Sequence, residues 1–323
     1  MADCISTVPE LLRALDLAPG QLPPLLTDRM DFPLRVPRRL LARMQPGDPQ
    51  DPLLLQVLPL TQEQQFHHGY SLDPVGDLAA SRGHGLLHKY QGRALLIASG
   101  ACAIHCRYCF RRHFPYQQQT LRQSQLDQAV AAVAGDPSLS EIILSGGDPL
   151  TLDAERLAAL LQQLDALPHL QRLRIHSRVP VVIPERLDET LLGQLTALRM
   201  QTVLVIHVNH RNEIDDCLRQ RLRDYQRYGI TLLNQSVLLQ GINDDARTLA
   251  ELSLTLFECG VMPYYLHQLD RAQGCAHFEV DEPRSRAIYH QLLQQLPGYL
   301  VPRLVHEQVG RPYKQPLSPL PTP

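Results

Sequence analysis

The chain of 323 residues is 44% hydrophobic, enough for one large core or two ordinary ones of about 100 to 200 residues, which excludes a disordered chain. Lys and Arg total 31 against 33 Asp and Glu, and a formal charge of −2 excludes broad attraction to nucleic acid or to an anionic membrane. No apolar run reaches the roughly 18 residues of a membrane span, and the opening Met-Ala-Asp-Cys-Ile-Ser has no basic region followed by an apolar stretch, so a cytoplasmic protein is expected.

Residues 1–85 are rich in Leu, Pro, Arg and Asp without clean periodicity, which predicts short helices and extended connectors wrapped around the rest. From Gly92 onward, short β-branched runs alternate with segments of helical period. Strands are predicted over 94–98, 141–145, 173–176, 202–207, 231–237 and 262–267, and helices over 126–134, 154–167, 189–198, 213–228, 246–259 and 283–296. Asp153, Asp188 and Asp245 stand where an N-cap is wanted, and Gly260 where a C-cap is. Repeated strand-helix alternation implies parallel strands with right-handed crossovers: an α/β barrel, complete or partial, or an open doubly wound sheet.

Both architectures bind ligands at the carboxyl ends of their strands. There the chain places Cys102-Ala-Ile-His-Cys106-Arg-Tyr-Cys109, Gly146-Gly147-Asp148-Pro149, Ser177-Arg178, Asn209-His210 and Gln268-Leu269-Asp270. Chemistry thus gathers on one rim.

Cys102, Cys106 and Cys109 give a C-x3-C-x2-C spacing on one loop, close enough for three thiolates to reach one metal centre. Arg107, Arg111 and Arg112 favour the thiolate form. Three ligands on a four-iron cluster leave one iron open for a small molecule, whereas recruitment of Cys275 would close it; a zinc knuckle or plain buried thiols is the blander reading. Of the 31 cations only Lys89 and Lys314 are lysines, so each is a candidate for chemistry that Arg cannot do.

With Phe110 behind it and a strand before it, the cysteine loop resembles that of the radical S-adenosylmethionine (SAM) superfamily. That resemblance implies a partial (β/α)6 barrel over 86–297, with a mostly helical extension over 1–85 and a short segment over 298–323 closing the site. It also implies a [4Fe-4S] cluster on Cys102, Cys106 and Cys109 whose open iron chelates SAM, with Gly146, Gly147 and Asp148 in the cofactor-binding strand end.

A finer resemblance, to the lysine 2,3-aminomutases, runs from about residue 80 to Lys314. It rests on Leu87-His-Lys89-Tyr90 with Arg93, Cys106-Arg-Tyr-Cys-Phe-Arg111-Arg112, Ser145-Gly-Gly-Asp148-Pro, Ser177-Arg-Val-Pro180, Asn234-Gln-Ser-Val-Leu-Leu239 and Pro263-Tyr-Tyr265. Phe32-Pro-Leu-Arg-Val-Pro37, His113-Phe-Pro-Tyr116 and Met262-Pro-Tyr-Tyr-Leu-His267 bring it closest to the branch that makes β-lysine for elongation factor P.

By that resemblance Lys314, in Gly310-Arg-Pro-Tyr-Lys314, carries pyridoxal 5′-phosphate (PLP), and Lys89, Tyr90 and Arg93 hold its phosphate. Arg111 takes the substrate carboxylate, while Asp270 and Glu307 take the distal ammonium. The family usually has Arg at the place of Lys89 and Asp at that of Glu307. The implied reaction converts (S)-α-lysine to (R)-β-lysine. A 5′-deoxyadenosyl radical from SAM takes a hydrogen from Cβ while PLP holds the migrating nitrogen. A low-potential electron donor, elongation factor P and its lysyl ligase follow as functional partners. A metabolic lysine or glutamate aminomutase and an iron-sulfur electron carrier closed by Cys275 are the other readings. The Pro-rich tail over 316–323 leaves the oligomeric state open.

Overall fold

The computed structural model describes residues 3–27, 30–116 and 123–319; residues 320–323 of the Pro-rich tail lie outside the described residues. Its centre is one nine-stranded sheet. Strands β1 (Cys4–Ile5) and β2 (Val36–Pro37) form a small antiparallel pair apart from it. The sheet then follows in chain order as β3 (Leu86–Tyr90), β4 (Arg93–Ser99), β5 (Glu141–Gly146), β6 (Arg172–Ser177), β7 (Gln201–Ile206), β8 (Thr231–Val237), β9 (Met262–His267), β10 (Arg303–His306) and β11 (Gln315–Pro316). From β4 to β10 every pairing is parallel, and β3 and β11 flank that run antiparallel.

The six expected strands appear within a residue or two of their predicted bounds because β-branched runs between caps carry the signal. Four-residue β10, two-residue β11 and the hairpin strand β3 are too short or too polar to show a period, and the sequence reading placed no strand there. They carry the sheet to its two edges.

Helix α1 (Val8–Ala14) lies in the amino-terminal segment, and among the described residues six helices of eight or more residues accompany the sheet: α2 (Gln123–Ala134), α3 (Ala154–Asp165), α4 (Glu189–Thr196), α5 (Asp216–Arg227), α6 (Ala246–Glu258) and α7 (Glu282–Gln295). In α3, Leu157, Leu160, Leu161 and Leu164 are buried at spacings of three and four, and Asp153 caps the start by accepting from Arg156 N at 2.8 Å. Asp188 and Asp245 cap α4 and α6 as expected, and Gly260 takes φ +78° after α6.

The helix expected from Glu213 starts instead at Asp216. Asp215 is its N-cap, and Glu213 sits in a 3-10 turn with its carboxylate turned inward to Arg178 at 2.9 Å. A buried ion pair there outweighs helical continuation. The main core fills the space between sheet, helices and amino-terminal segment, drawing Leu11, Val36, Leu53 and Leu58 into contact with the first barrel units.

Candidate active site

All thirteen sequence-predicted site residues line one cavity of about 1180 Å³ in the lumen of the sheet. Strand alternation explains much of this. On β10, Arg303 and Val305 face the lumen while Leu304 packs outward against the helices, and Glu307 continues the inward row.

The cysteine loop is clamped from behind by the amino-terminal segment. Arg107 is fully buried and donates to both oxygens of Glu63, while Arg112 reaches the same carboxylate at 2.6 Å. Both guanidinium groups lie 4.9 Å from the Phe32 ring, His105 stacks on that ring, and Arg107 N donates to Gln56 O at 2.9 Å.

Cys102, Cys106 and Cys109 turn into the cavity without yet standing at ligand distances: among the described residues no three His, Cys, Asp or Glu side chains form a ready metal cage. Burial first, and the neighbouring thiols second, push Cys109 up to about 12, and burial raises Cys102 and Cys106 likewise. Three soft donors facing one space fit an iron-sulfur cluster, whose positive irons favour the thiolate. Cys275 is placed differently. Its thiol donates to Arg107 O at 3.3 Å behind the loop and is not part of the cavity wall, so Cys275 does not face the space that the other three thiols share.

Gly146 and Gly147 let the end of β5 meet this loop. A Cβ on Gly147 would stand 2.4 Å from Ala101 O, and one on Gly146, at φ +121°, 2.5 Å from Ser99 O. Asp148 uses its carboxylate for the scaffold, accepting from Leu150 N, Ser177 Oγ, Arg178 N and Val179 N. It therefore joins the ends of β5 and β6, and only its flank faces the cavity.

An alternating row of charge runs through the same cavity. Arg111 donates to Asp77 Oδ2 at 2.6 Å and to Ser145 Oγ at 3.2 Å. Lys89 Nζ lies 2.7 Å from Asp77 Oδ1 and 2.9 Å from Glu307 Oε1, and Glu307 Oε2 meets Lys314 Nζ. Burial opposes ionisation of Glu307, but Lys314 and Lys89 outweigh it and hold the carboxyl at about 2. Asp270 faces the same space; burial lifts it to about 7, against the pull of Lys314 and with the push of Glu307.

The radical SAM superfamily pattern matches residues 96–252. Over 98% of its length the chain is 49% identical to the L-lysine 2,3-aminomutase of Escherichia coli strain K12, covering 93% of that protein. It is 43% identical to that of Haemophilus influenzae, over 97% of this chain and 93% of the relative. The chain belongs to the L-lysine 2,3-aminomutase family. Among solved structures, Streptococcus suis SuiB bound to S-adenosylmethionine superposes with a TM-score of 0.52 at 12% identity, over 70% of this chain and 52% of that one, a likeness of fold alone.

As a radical SAM aminomutase the protein is an isomerase, and the cofactors of its family are a [4Fe-4S] cluster, SAM and PLP. The aminomutase cavity also contains residues that sequence reading did not assign. Asp77 comes from the extension expected to wrap around the rest, and no motif marks it. His176, His207 and His267 line the lumen with Gln235, whose amide lies 2.8 Å from His207 Nε2. Burial holds His207 at about 3 and the other two well below the ordinary value, so all three are neutral. Their positions at the carboxyl ends of predicted strands were the available signal for them.

Proposed function

We propose that the protein converts (S)-α-lysine to (R)-β-lysine with PLP carried on Lys314, and that the β-lysine serves the modification of elongation factor P. The observation that carries the reading is the position of Lys314. Its Nζ reaches the cavity on Glu307, and Arg111, Asp270 and the three cysteines line the same cavity. A guanidinium and a carboxylate in one cavity match the two charged ends of a diamino acid and disfavour glutamate.

Fit to the cofactors rests on the side chains present. Cys102, Cys106 and Cys109 would hold the cluster, and Lys314 is an amine that can bond a cofactor aldehyde. When bound, these groups supply a carbon-centred radical and an electron sink for a migrating nitrogen. The residues of the chain do the rest. Arg111, fixed by Asp77, orients the α-carboxylate. Asp270 receives the distal ammonium, and that cation favours the ionised carboxylate. The neutral histidines and the apolar Leu95, Ile143, Val203 and Leu233 give the cavity uncharged stretches of wall that hold water poorly, which protects a radical.

The test is anaerobic. Reconstituted protein is given PLP, SAM, dithionite and (S)-lysine, and α- and β-lysine are resolved with a Lys314→Ala control. The expected product is (R)-β-lysine from the unaltered chain alone, and its transfer to elongation factor P by the lysyl ligase, read as a mass increase, tests the destination. SAM cleavage without β-lysine would move the substrate elsewhere.

A further inference from the structure

Four exposed apolar side chains, Leu72, Leu78, Val309 and Tyr313, fall in two loops that meet where the sheet does not close on itself. The order from β11 through β10 to β3 leaves the two edges of the barrel without a strand-to-strand hydrogen-bond ladder between them, and Lys89 of β3 bridges that seam to Glu307, just beyond β10, at 2.9 Å. Resting on the β-lysine reading above, we propose that the outer lip of this seam docks the lysyl ligase that takes up β-lysine, through an acidic face of that partner, so that the product passes between the two proteins at the mouth of the cavity.

The two sides of the lip touch. On the β3 side, residues 80–82 run antiparallel along β3, with Arg82 N donating to Leu86 O at 2.8 Å and His88 N to Ala80 O at 3.0 Å. The loop just before them carries Leu72 and Leu78, and on the other side the loop from Glu307 to Lys314 carries Val309 and Tyr313. The loops meet at Gly76, where a Cβ would stand 2.9 Å from Val309 Cγ1. Tyr313 is 56% exposed and also lines the cavity, as does the exposed Pro316 of β11, so the cavity reaches the surface here. Scattered exposed apolar residues are ordinary, but four gathered beside one opening mark a surface that takes a partner.

Charge says what kind of partner. Arg82 and Arg311 stand exposed on the two sides of the lip, and Arg303 is exposed further along the seam. Among the described residues none of the three pairs with a carboxylate; Arg311 Nε donates to Gln308 Oε1 at 3.3 Å, and the acids of the seam, Asp77 and Glu307, are turned inward to Arg111, Lys89 and Lys314. The lip is therefore basic. That sign is wrong for steering lysine, which carries two ammonium groups and one carboxylate. Steering of an anionic cofactor would use the arginines and leave the four apolar side chains unexplained. A protein that binds β-lysine has to surround two ammonium groups with carboxylates, and an acidic entrance with an apolar edge is the complement of this lip. Arg and Tyr among apolar side chains is also the composition favoured at interface centres.

The experiment mixes the holoenzyme with the lysyl ligase of elongation factor P and measures binding by calorimetry at low salt and at about 0.5 M salt, with β-lysine formation by the holoenzyme alone read in parallel. A complex that weakens with salt is expected. Leu78→Ser with Val309→Ser, and separately Arg82→Glu with Arg311→Glu, should each weaken it about tenfold or more and leave β-lysine formation by the isolated holoenzyme unchanged. The two pairs act through different chemistry, so if one of them melts early the other decides. No complex with the ligase, a complex indifferent to the folded variants, or a complex with elongation factor P in place of the ligase overturns the proposal, while the β-lysine reading stands as long as the product forms. If the unaltered protein makes no β-lysine, that reading fails and takes the proposal with it.

Discussion

Lys89 and Lys314, the only two lysines of the chain, share one carboxylate: Glu307 offers Oε1 to the first and Oε2 to the second. Their surroundings separate their roles. Lys89 also has Asp77 and a backbone carbonyl beside it, whereas among the described residues Glu307 is the one carboxylate paired with Lys314, and neutral His267 lies near it.

Replacing Glu307 by Gln removes the counter-charge of both lysines at the seam. Breaking such a partly buried pair is expected to cost about 3 kcal/mol in chemical denaturation. The pH dependence has a definite sign. Folding lowers this carboxyl from its ordinary 4.5 to about 2, so its contribution is complete above about 4.5 and is lost as the pH falls toward 2. Acid titration of the unaltered protein and of Glu307→Gln should differ in that window, and identical curves would refute the assignment.

Asp270 behaves in the opposite way. Burial raises it from 3.8 to about 7, so its ionisation opposes folding and stability declines as the pH rises from about 4 to about 7. Asp270→Asn should remove that decline. Because a lysine ammonium needs the ionised form, affinity for lysine should fall as the pH drops below about 7, and binding there should release a proton measurable by calorimetry in buffers of different ionisation heat.

Gly147→Ala drives a methyl group to 2.4 Å from Ala101 O, so the cysteine loop or β5 must shift. A loss of about 1 to 3 kcal/mol is expected, with poorer iron loading after reconstitution, because the displaced segment carries Cys102. Normal iron content and normal melting together would show that the loop tolerates the shift.

Single Ala replacements of Cys102, Cys106 or Cys109 should each abolish the cluster by iron and sulfide analysis, whereas Cys275→Ala should retain it. The Cys275 thiol is engaged with Arg107 O behind the loop, and burial holds it at about 11. Loss of iron from Cys275→Ala alone would restore the four-cysteine reading.

Local patterns account for what the sequence by itself determined. Period and capping residues gave six strand-helix units, because alternation and N-cap chemistry are properties of neighbouring residues. The cysteine spacing and the scarcity of lysine marked the loop and Lys314 for the same reason. Tertiary structure alone decided which charges meet. Asp77 and Lys89 come from one stretch of chain and Glu307 and Lys314 from a distant second one, and an ion pair between them has no spacing or period to read. The extension that looked like mere wrapping supplies Asp77 to the cavity wall and Glu63 to the cysteine loop, since a carboxylate enclosed by guanidinium groups in the fold is, in sequence, one acid among 33. Where the barrel closes was hidden likewise: a seam held by side chains, between strands too short to announce themselves, exists only once the first and last parts of the sheet have been brought together.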